Sequence, residues 1–335
     1  MKSNQKIEFR IAKHNDYKKI LLFLKKYWNK NHIFVKDEKF FQYELCNPEP
    51  QFILATNNNK IIGLVGFYSY SENYKESDLF LVLLRVIENF SNYQVAIKLI
   101  IFIKNLTSKK IHTIGATKET LPLYNLLNFK TGWLDHYYWI NSNLKAFRLC
   151  KIQEKKRKLF SNKIFKIKNI TKKYPKQISE KKYLTLLSNT HVRKSFWYFK
   201  KRYLNHPIYK YEIYEIKNKN GLITGLGVLR IVNLNKNKCI RIIDWIGDLN
   251  YFNTFLKHSC NLAIEIGAEF VDLYCSGVTS RKILSAGFIK TTSKEIIPNH
   301  LSPIEHKNIA ISYVSSDNKN FVFFRGDCDQ DRPNV

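Results

Sequence analysis

Residues 51–69 read QFILATNNNKIIGLVGFYS, and the fold turns on how they are interpreted. Two apolar runs, 51–56 and 61–69, flank Asn57-Asn58-Asn59-Lys60, a turn composition that reads as a β-hairpin. A doubly wound nucleotide-binding order would lack such a central hairpin, so consecutive antiparallel strands are expected. Upstream, residues 7–11 form a strand-like run, followed by an amphipathic helix over 15–28 with Ile20, Leu21, Leu24 and Tyr27 at helical spacing. Downstream come a buried strand over 79–86, a polar loop and a helix over 94–106 with Val95, Leu99, Ile100 and Ile103 facing inward. A strand over 111–116, a helix over 119–127 stopped by Asn128, and an aromatic-rich strand over 130–140 close the series. The order β-α-β-β-β-α-β-α-β predicts a mixed, mostly antiparallel sheet with helices on both faces.

The pattern recurs from Tyr183. A helix-prone stretch to Tyr203 leads into strands over 211–217, 223–232 and 239–246, a helix over 251–266, a strand over 269–274 and a helix over 280–286. The 335 residues are too many for one ordinary core and suit two domains of roughly 150 residues each. The expected fold class is therefore α/β (α+β), with domains at 1–145 and 181–335 joined by a basic connector at 146–180. Within it the lysine-dense run 151–176 (KIQEKKRKLFSNKIFKIKNITKKYPK) reads as a solvated connector rather than a binding arm.

An apolar fraction of 44% with 14% aromatics lies far from the disordered regime, so both halves can bury a core. The formal charge of +29 raises the question of a phosphate-rich partner, but the lysines are spread along the chain with abundant Asn and Ile. Such a distribution argues against a designed nucleic-acid patch and stays compatible with weak association with an anionic membrane surface. The six cysteines have no C-x-x-C pair and no zinc-ligand spacing, so they read as reduced thiols and no metal site is expected. With no apolar signal core at the N-terminus and no long apolar span, the expected compartment is the cytoplasm. P-loop, G-x-G-x-x-G, G-x-S-x-G and H-E-x-x-H motifs are absent, which removes the usual support for hydride, phosphoryl and metalloprotease chemistry.

Residues 121–129 (LPLYNLLNF) resemble the A-x-x-L-Y-x-x-x-G-F pattern late in domains of the GNAT acyltransferases, and residues 280–288 (SRKILSAGF) repeat it in the second half. The chain thus looks like two tandem GNAT domains. The resemblance implies an acyl-CoA co-substrate, acetyl-CoA or another, and makes Tyr124 the candidate acid for the departing CoA thiolate. GNAT enzymes hold the CoA pyrophosphate on an R-x-x-G-x-G/A loop at a helix N-terminus. The matching loop here lacks glycine and ends in Asn92, Tyr93, Gln94, Val95 and Ala96, where Asn92 could take the left-handed conformation and Ala96 keeps a small residue. The whole chain is also similar to a double-GNAT group of transferases encoded with surface-polysaccharide genes, through 28–34 (WNKNHIF), 203–207 (YLNHP), 241–248 (RIIDWIGD), 269–277 (EFVDLYCSG), 297–299 (IPN) and 326–334 (GDCDQDRPN). A more distant similarity joins it to the Fem-type transferases.

Acceptor-side candidates follow from residue chemistry. Asp135 and His136 lie on the last strand expected in the first half and could assist the acceptor; His136 could be a base near neutral pH. Trp28 and His32 at i,i+4 spacing could stack on a sugar or base. Asp244 and Asp248 could orient an amine or a sugar hydroxyl, Asp248 serving equally well as a helix cap. Arg332, in a tail with Asp327, Asp329 and Asp331, could pair with Asp244 or Asp272. The expected activity is acyl-CoA-dependent N-acylation of an amino sugar or sugar nucleotide for an envelope glycan. Two alternatives stay open, a Fem-like transferase using aminoacyl-tRNA and a non-catalytic GNAT-fold binding module.

Overall fold

The computed structural model describes residues 7–90, 93–160, 164–187, 193–301, 303–317, 321–328 and 330–333. In chain order the elements are β1 (Glu8–Ile11), α1 (Tyr17–Tyr27), α2 (Ile33–Lys36), α3 (Glu38–Leu45), β2 (Phe52–Asn57), β3 (Lys60–Ser69), β4 (Leu79–Val86), α4 (Tyr93–Lys104), β5 (Ile111–Ile114), α5 (Leu121–Leu126), β6 (Lys130–Trp133) and β7 (Asp135–Ile140). There follow α6 (Glu154–Arg157), β8 (Ile170–Lys173), α7 (Glu180–Leu187), α8 (Phe196–Phe199), β9 (Glu212–Lys217), β10 (Ile223–Leu234) and β11 (Asn237–Gly247). The chain ends with α9 (Phe252–Ile266), β12 (Phe270–Ser276), α10 (Ser280–Leu284), β13 (Ile289–Lys290), β14 (Ser312–Ser315) and β15 (Phe323–Phe324). Among the described residues no helix is long and apolar enough to cross a membrane, and no disulfide joins any of the six cysteines.

Two compact units result. The first comprises Met1–Gly132, Ser312–Lys319 and Cys328–Val335, and the second Trp133–Ile311 and Asn320–Asp327. The first sheet runs β1-β2-β3-β4-β5-β14-β6. Its expected hairpin is present, with Asn58 and Asn59 at φ +47° and +61° turning β2 into β3. Alternation sends Ile53, Ala55 and Val65 to one face, where they meet Val95, Leu99, Ile100 and Ile103 of α4. Phe52 takes the opposite face and stacks on Phe41 of α3 at 5.8 Å between centroids.

The second sheet runs β13-β7-β12-β11-β10-β9-β8, and β15 pairs with β12. On one face α9 buries Phe255, Leu256, Cys260 and Ala263 against Ile240, Ile242, Val271 and Leu273. On the other, α7 and α8 cover Val228, Ile243 and Ile246 with Tyr183, Leu186 and Phe199.

Two expectations about the domains need correction. The aromatic strand expected over 130–140 breaks at Leu134, and β7 pairs with β12, so Asp135 and His136 belong to the second sheet. In exchange β14, from late in the chain, pairs with β5 in the first sheet. A boundary at 145 is therefore not where the units part, because periodicity gives a strand's existence and not its neighbours. Nor is 146–180 a free connector. Leu149, Cys150 and Phe160 are buried, and β8 forms the edge of the second sheet. The backbone N–H groups of Arg148 and Leu149 donate to the buried Glu269 carboxylate at 2.9 and 2.8 Å. Leu159, Ile164 and Tyr174 stay exposed, so only part of the apolar content of this lysine-rich stretch packs.

Candidate functional site

The first unit holds a cavity of about 260 Å³ where two parallel strands separate. β4 and β5 pair only at Leu79 with Ile111 and Phe80 with His112. Beyond that point the Thr113 hydroxyl, rather than a ladder bond, reaches the Leu81 carbonyl at 2.8 Å. β5 instead turns its backbone toward β14, with Gly115 N–H donating to the Ser312 carbonyl at 2.8 Å. The wedge so opened is lined by residues 81–84 and 113–117 with Trp28, Thr120, Tyr124, Gln330 and Arg332. A crevice at the carboxyl ends of parallel strands is where α/β sheets bind ligands.

A β-bulge shapes one wall. Leu64 faces Arg85 and Gly66 faces Val82, so Val65 of β3 stands opposite two residues, Leu83 and Leu84. Leu83 takes the left-handed φ of +56°, a strained choice for a bulky residue, at the rim of the cavity. Strain of this kind is retained where the surroundings fix it and is concentrated at functional sites.

Tyr124, on α5, is 3% exposed and packs edge-on to Phe129 at 5.7 Å. Among the described residues no group hydrogen-bonds its hydroxyl. Burial, helped by nearby Cys328, pushes its pKa well above the usual tyrosine range, so the ring keeps its proton at neutral pH. The returning C-terminal segment closes the site from behind. Cys328 N–H donates to the Tyr70 hydroxyl at 3.1 Å, and Gln330 Nε2 donates to the Ile114 carbonyl at 3.1 Å. The Gln330 amide lies where a side chain at Gly115 would stand, and the φ of +82° is what favours glycine at that position.

Trp28 and His32 come together as the spacing suggests, their rings 4.3 Å apart, although a turn and not one helix joins them. His32 caps α2, its Nδ1 accepting from Phe34 N–H at 3.2 Å. Burial, then the charge of Arg332, holds its pKa down at about 3, so it is neutral near pH 7. Arg332 lies over the Phe34 ring at 5.7 Å and lines the cavity. The two carboxylates expected for Arg332 have partners within the second unit. Arg325 takes Asp272 at 2.5 Å, and Lys194 takes Asp244 at 2.6 Å.

The remaining candidates separate. Asn92 and Asp329 fall outside the described residues. Gln94 is exposed, Ala96 half-buried, and Val95 is a core residue of α4; none of the three is among the described residues lining the cavity. What Tyr93, Gln94, Val95 and Ala96 offer a ligand is the backbone N–H groups of a first helical turn. Asp135 pairs with Lys290 at 2.5 Å, and His136 is buried against Tyr274 in the second unit. Asp244 is fully buried between Lys194 and the Tyr203 hydroxyl, the latter at 2.6 Å, which makes it a core ion pair and not a substrate contact. Asp248 Oδ1 accepts from Asn250 N–H at 2.8 Å in the turn before α9, whose N-cap is Tyr251, so the Asp248 side chain does not cap the helix.

Sequence reading missed the wedge at 113–117, the bulge at Leu83, and Cys328 with Gln330. The glycine after β5 and the concentrated polar tail were the available signals. Neither identifies a partner strand.

No protein-family model and no curated protein matches the sequence. Among solved structures, the GCN5-related N-acetyltransferase from Anabaena variabilis ATCC 29413 is similar with a TM-score of 0.57 at 11% identity, covering 92% of this chain and 72% of that one. A conserved protein from Enterococcus faecalis V583, designated "probable N-acyltransferase", gives 0.54 at 9% identity over 92% and 72%. With its two mixed, mostly antiparallel sheets flanked by helices, the chain has the fold of the GNAT acyltransferases.

Proposed function

We propose that the protein is an acyl-CoA-dependent N-acyltransferase whose acyl donor enters the wedge between β4 and β5. The observation that carries this reading is the unpartnered Tyr124 hydroxyl in the wall of that cavity, opposite a bulge at Leu83. The bulge interrupts the ladder beside Val65, freeing backbone N–H groups of β4 for the thioester carbonyl, where oxyanion charge develops. The first turn of α4 supplies N–H groups for the CoA pyrophosphate, and its dipole favours the anion. An acceptor amine attacks the thioester carbon, the C–S bond breaks, and Tyr124, protonated because it is buried, donates to the departing thiolate. None of the described lining residues is a carboxylate or a histidine, so the amine gives its proton to water.

The acceptor in this reading is an amino sugar or sugar nucleotide for a cell-envelope glycan. The Trp28–His32 ring pair supports a stacked sugar or base, and Arg332 beside it supports an anionic group on the same molecule. Tandem GNAT domains and a link to surface polysaccharide belong to the same proposal, on the resemblance of the motifs.

The test is a thermal-shift titration with acetyl-CoA and CoA, followed by thiol release with amino-sugar acceptors. A ligand at 100 times its Kd adds about 2.7 kcal/mol, a readily measured rise. Tyr124→Phe should keep that rise and lower kcat by about 10²-fold with little change in KM. No shift at millimolar donor, or full turnover by Tyr124→Phe, would overturn the assignment.

A further inference from the structure

One face of the second sheet breaks the rule that builds the other. Val271 and Leu273 point into the core beneath α9, and their neighbours Asp272 and Tyr274 share the opposite face. Arg241 of β11 stands beside Asp272, and His136 of β7 stands beside Tyr274, so four polar side chains line that face. All are buried, with exposures of 0% for Asp272 and Tyr274, 5% for Arg241 and 9% for His136. Arg325, also 0% exposed, lies over the Tyr274 ring at 4.6 Å and donates Nη2 to Asp272 Oδ2 at 2.5 Å. His136 stacks on Tyr274 at 3.9 Å, its Nε2 3.6 Å from Asp272, beyond hydrogen-bond range. Arg241 Nη2 donates to the Pro298 carbonyl at 2.9 Å.

These contacts leave much unused. Among the described residues, Arg325 Nε and Nη1, Arg241 Nε and His136 Nε2 have no hydrogen-bond partner, nor do Asp272 Oδ1 and Asn299 Oδ1. Buried polar atoms are nearly always paired, and a group of them drawn from five chain segments calls for an occupant. Charge narrows the choice. Two guanidinium groups face one carboxylate, which the arginines, against the effect of burial, keep ionised by holding its pKa at about 2. His136 is neutral because burial, aided by the same arginines, depresses its pKa against the pull of Asp272. Within the buried cluster a surplus of one positive charge remains, near the partly exposed His300 and the nearly buried Asn299, and the half-buried Arg230 of β10 stands beside Arg241.

We infer that this cluster binds a monoanionic hydroxy-carboxylate, such as a hydroxy acid or sugar acid. Its carboxylate accepts from Arg325 and Arg241, and its hydroxyl donates to Asp272 Oδ1 or Asn299 Oδ1. A monoanion cancels the surplus charge of the buried groups themselves. The site is independent of the acyl-donor cavity and is tested without any acyl-CoA.

Full-length protein is titrated near pH 7 with sodium lactate and sodium glucuronate, and in parallel with acetate, phosphate and chloride at equal ionic strength, following the unfolding midpoint and the heat of binding. A saturable response to lactate or glucuronate is expected, at least about tenfold tighter than acetate. Arg241→Gln, which removes one of two mutually repelling cations, should weaken it at least about tenfold. Asn299→Ala, nearer the surface, should do the same and serves where Arg241→Gln fails to fold. No saturable response to either hydroxy-carboxylate overturns the inference. So does a response to phosphate alone, or one that both variants leave intact.

Discussion

Replacing Lys194 by methionine would expose how the last strand of the second unit is held. The ammonium is 4% exposed and donates to Asp244 at 2.7 and 2.6 Å, and it lies 2.8 Å from Asp327. Asp327 in turn accepts from Phe324 N–H at 2.8 Å, which fastens β15, and Asp244 accepts from Trp245 N–H at 2.8 Å. Methionine keeps the volume and removes the charge, leaving two carboxylates facing each other at 0% exposure. Breaking a buried pair in this way costs about 3–5 kcal/mol. The pH dependence identifies the cause. Burial, then Asp327, raises the Asp244 pKa, and Lys194 opposes both. In the variant that opposition is gone, so folding is favoured while Asp244 holds its proton and disfavoured as pH rises through its raised pKa. The deficit relative to the parent should grow between about pH 5 and pH 8, by at most about 1.4 kcal/mol per unit. Urea unfolding followed by tryptophan fluorescence at both pH values measures it, and adding Asp327→Asn should recover part of the loss. A deficit under about 1 kcal/mol, or one that does not change with pH, would refute the reasoning.

Other outcomes follow from the same contacts. His32, with a pKa of about 3, stabilises the fold as a neutral ring; that contribution is complete above about pH 6.5 and is lost as pH falls toward 3, so His32→Asn should flatten the acid limb of a stability–pH curve. Arg332→Met removes the cation beside that ring and should raise the His32 pKa, seen in the ring nitrogen shifts of an NMR titration. Glu269→Gln weakens the charge-assisted bonds from Arg148 and Leu149 N–H and should cost about 2 kcal/mol, with hydrogen exchange accelerating first around residues 148–160. Gly247→Ala should cost about 2 kcal/mol or more in a urea melt, because φ is +129° and the added methyl would meet the Thr224 carbonyl.

Local pattern determined much of this protein. The Asn-rich turn, the alternation of β2 and β3 and the apolar stripe of α4 each follow from side-chain periodicity, which acts over a few residues and is visible in one chain. The Trp28–His32 pair was legible for the same reason, as neighbours along a short stretch, whereas Tyr124 was singled out by the resemblance of residues 121–129 to the GNAT pattern. The tertiary structure alone decided that β7 leaves the first sheet and β14 enters it, since strand pairing is a choice among distant partners that alternation leaves open. That choice moved Asp135 and His136 out of the first unit. It also decided which cation meets which carboxylate. Asp244 and Asp272 could have been functional or structural, and only the arrival of Lys194 and Arg325, 50 and 53 positions away, separated a satisfied ion pair from a cluster with donors to spare. A charge's role depends on what burial leaves unpaired, and burial is a property of the folded chain.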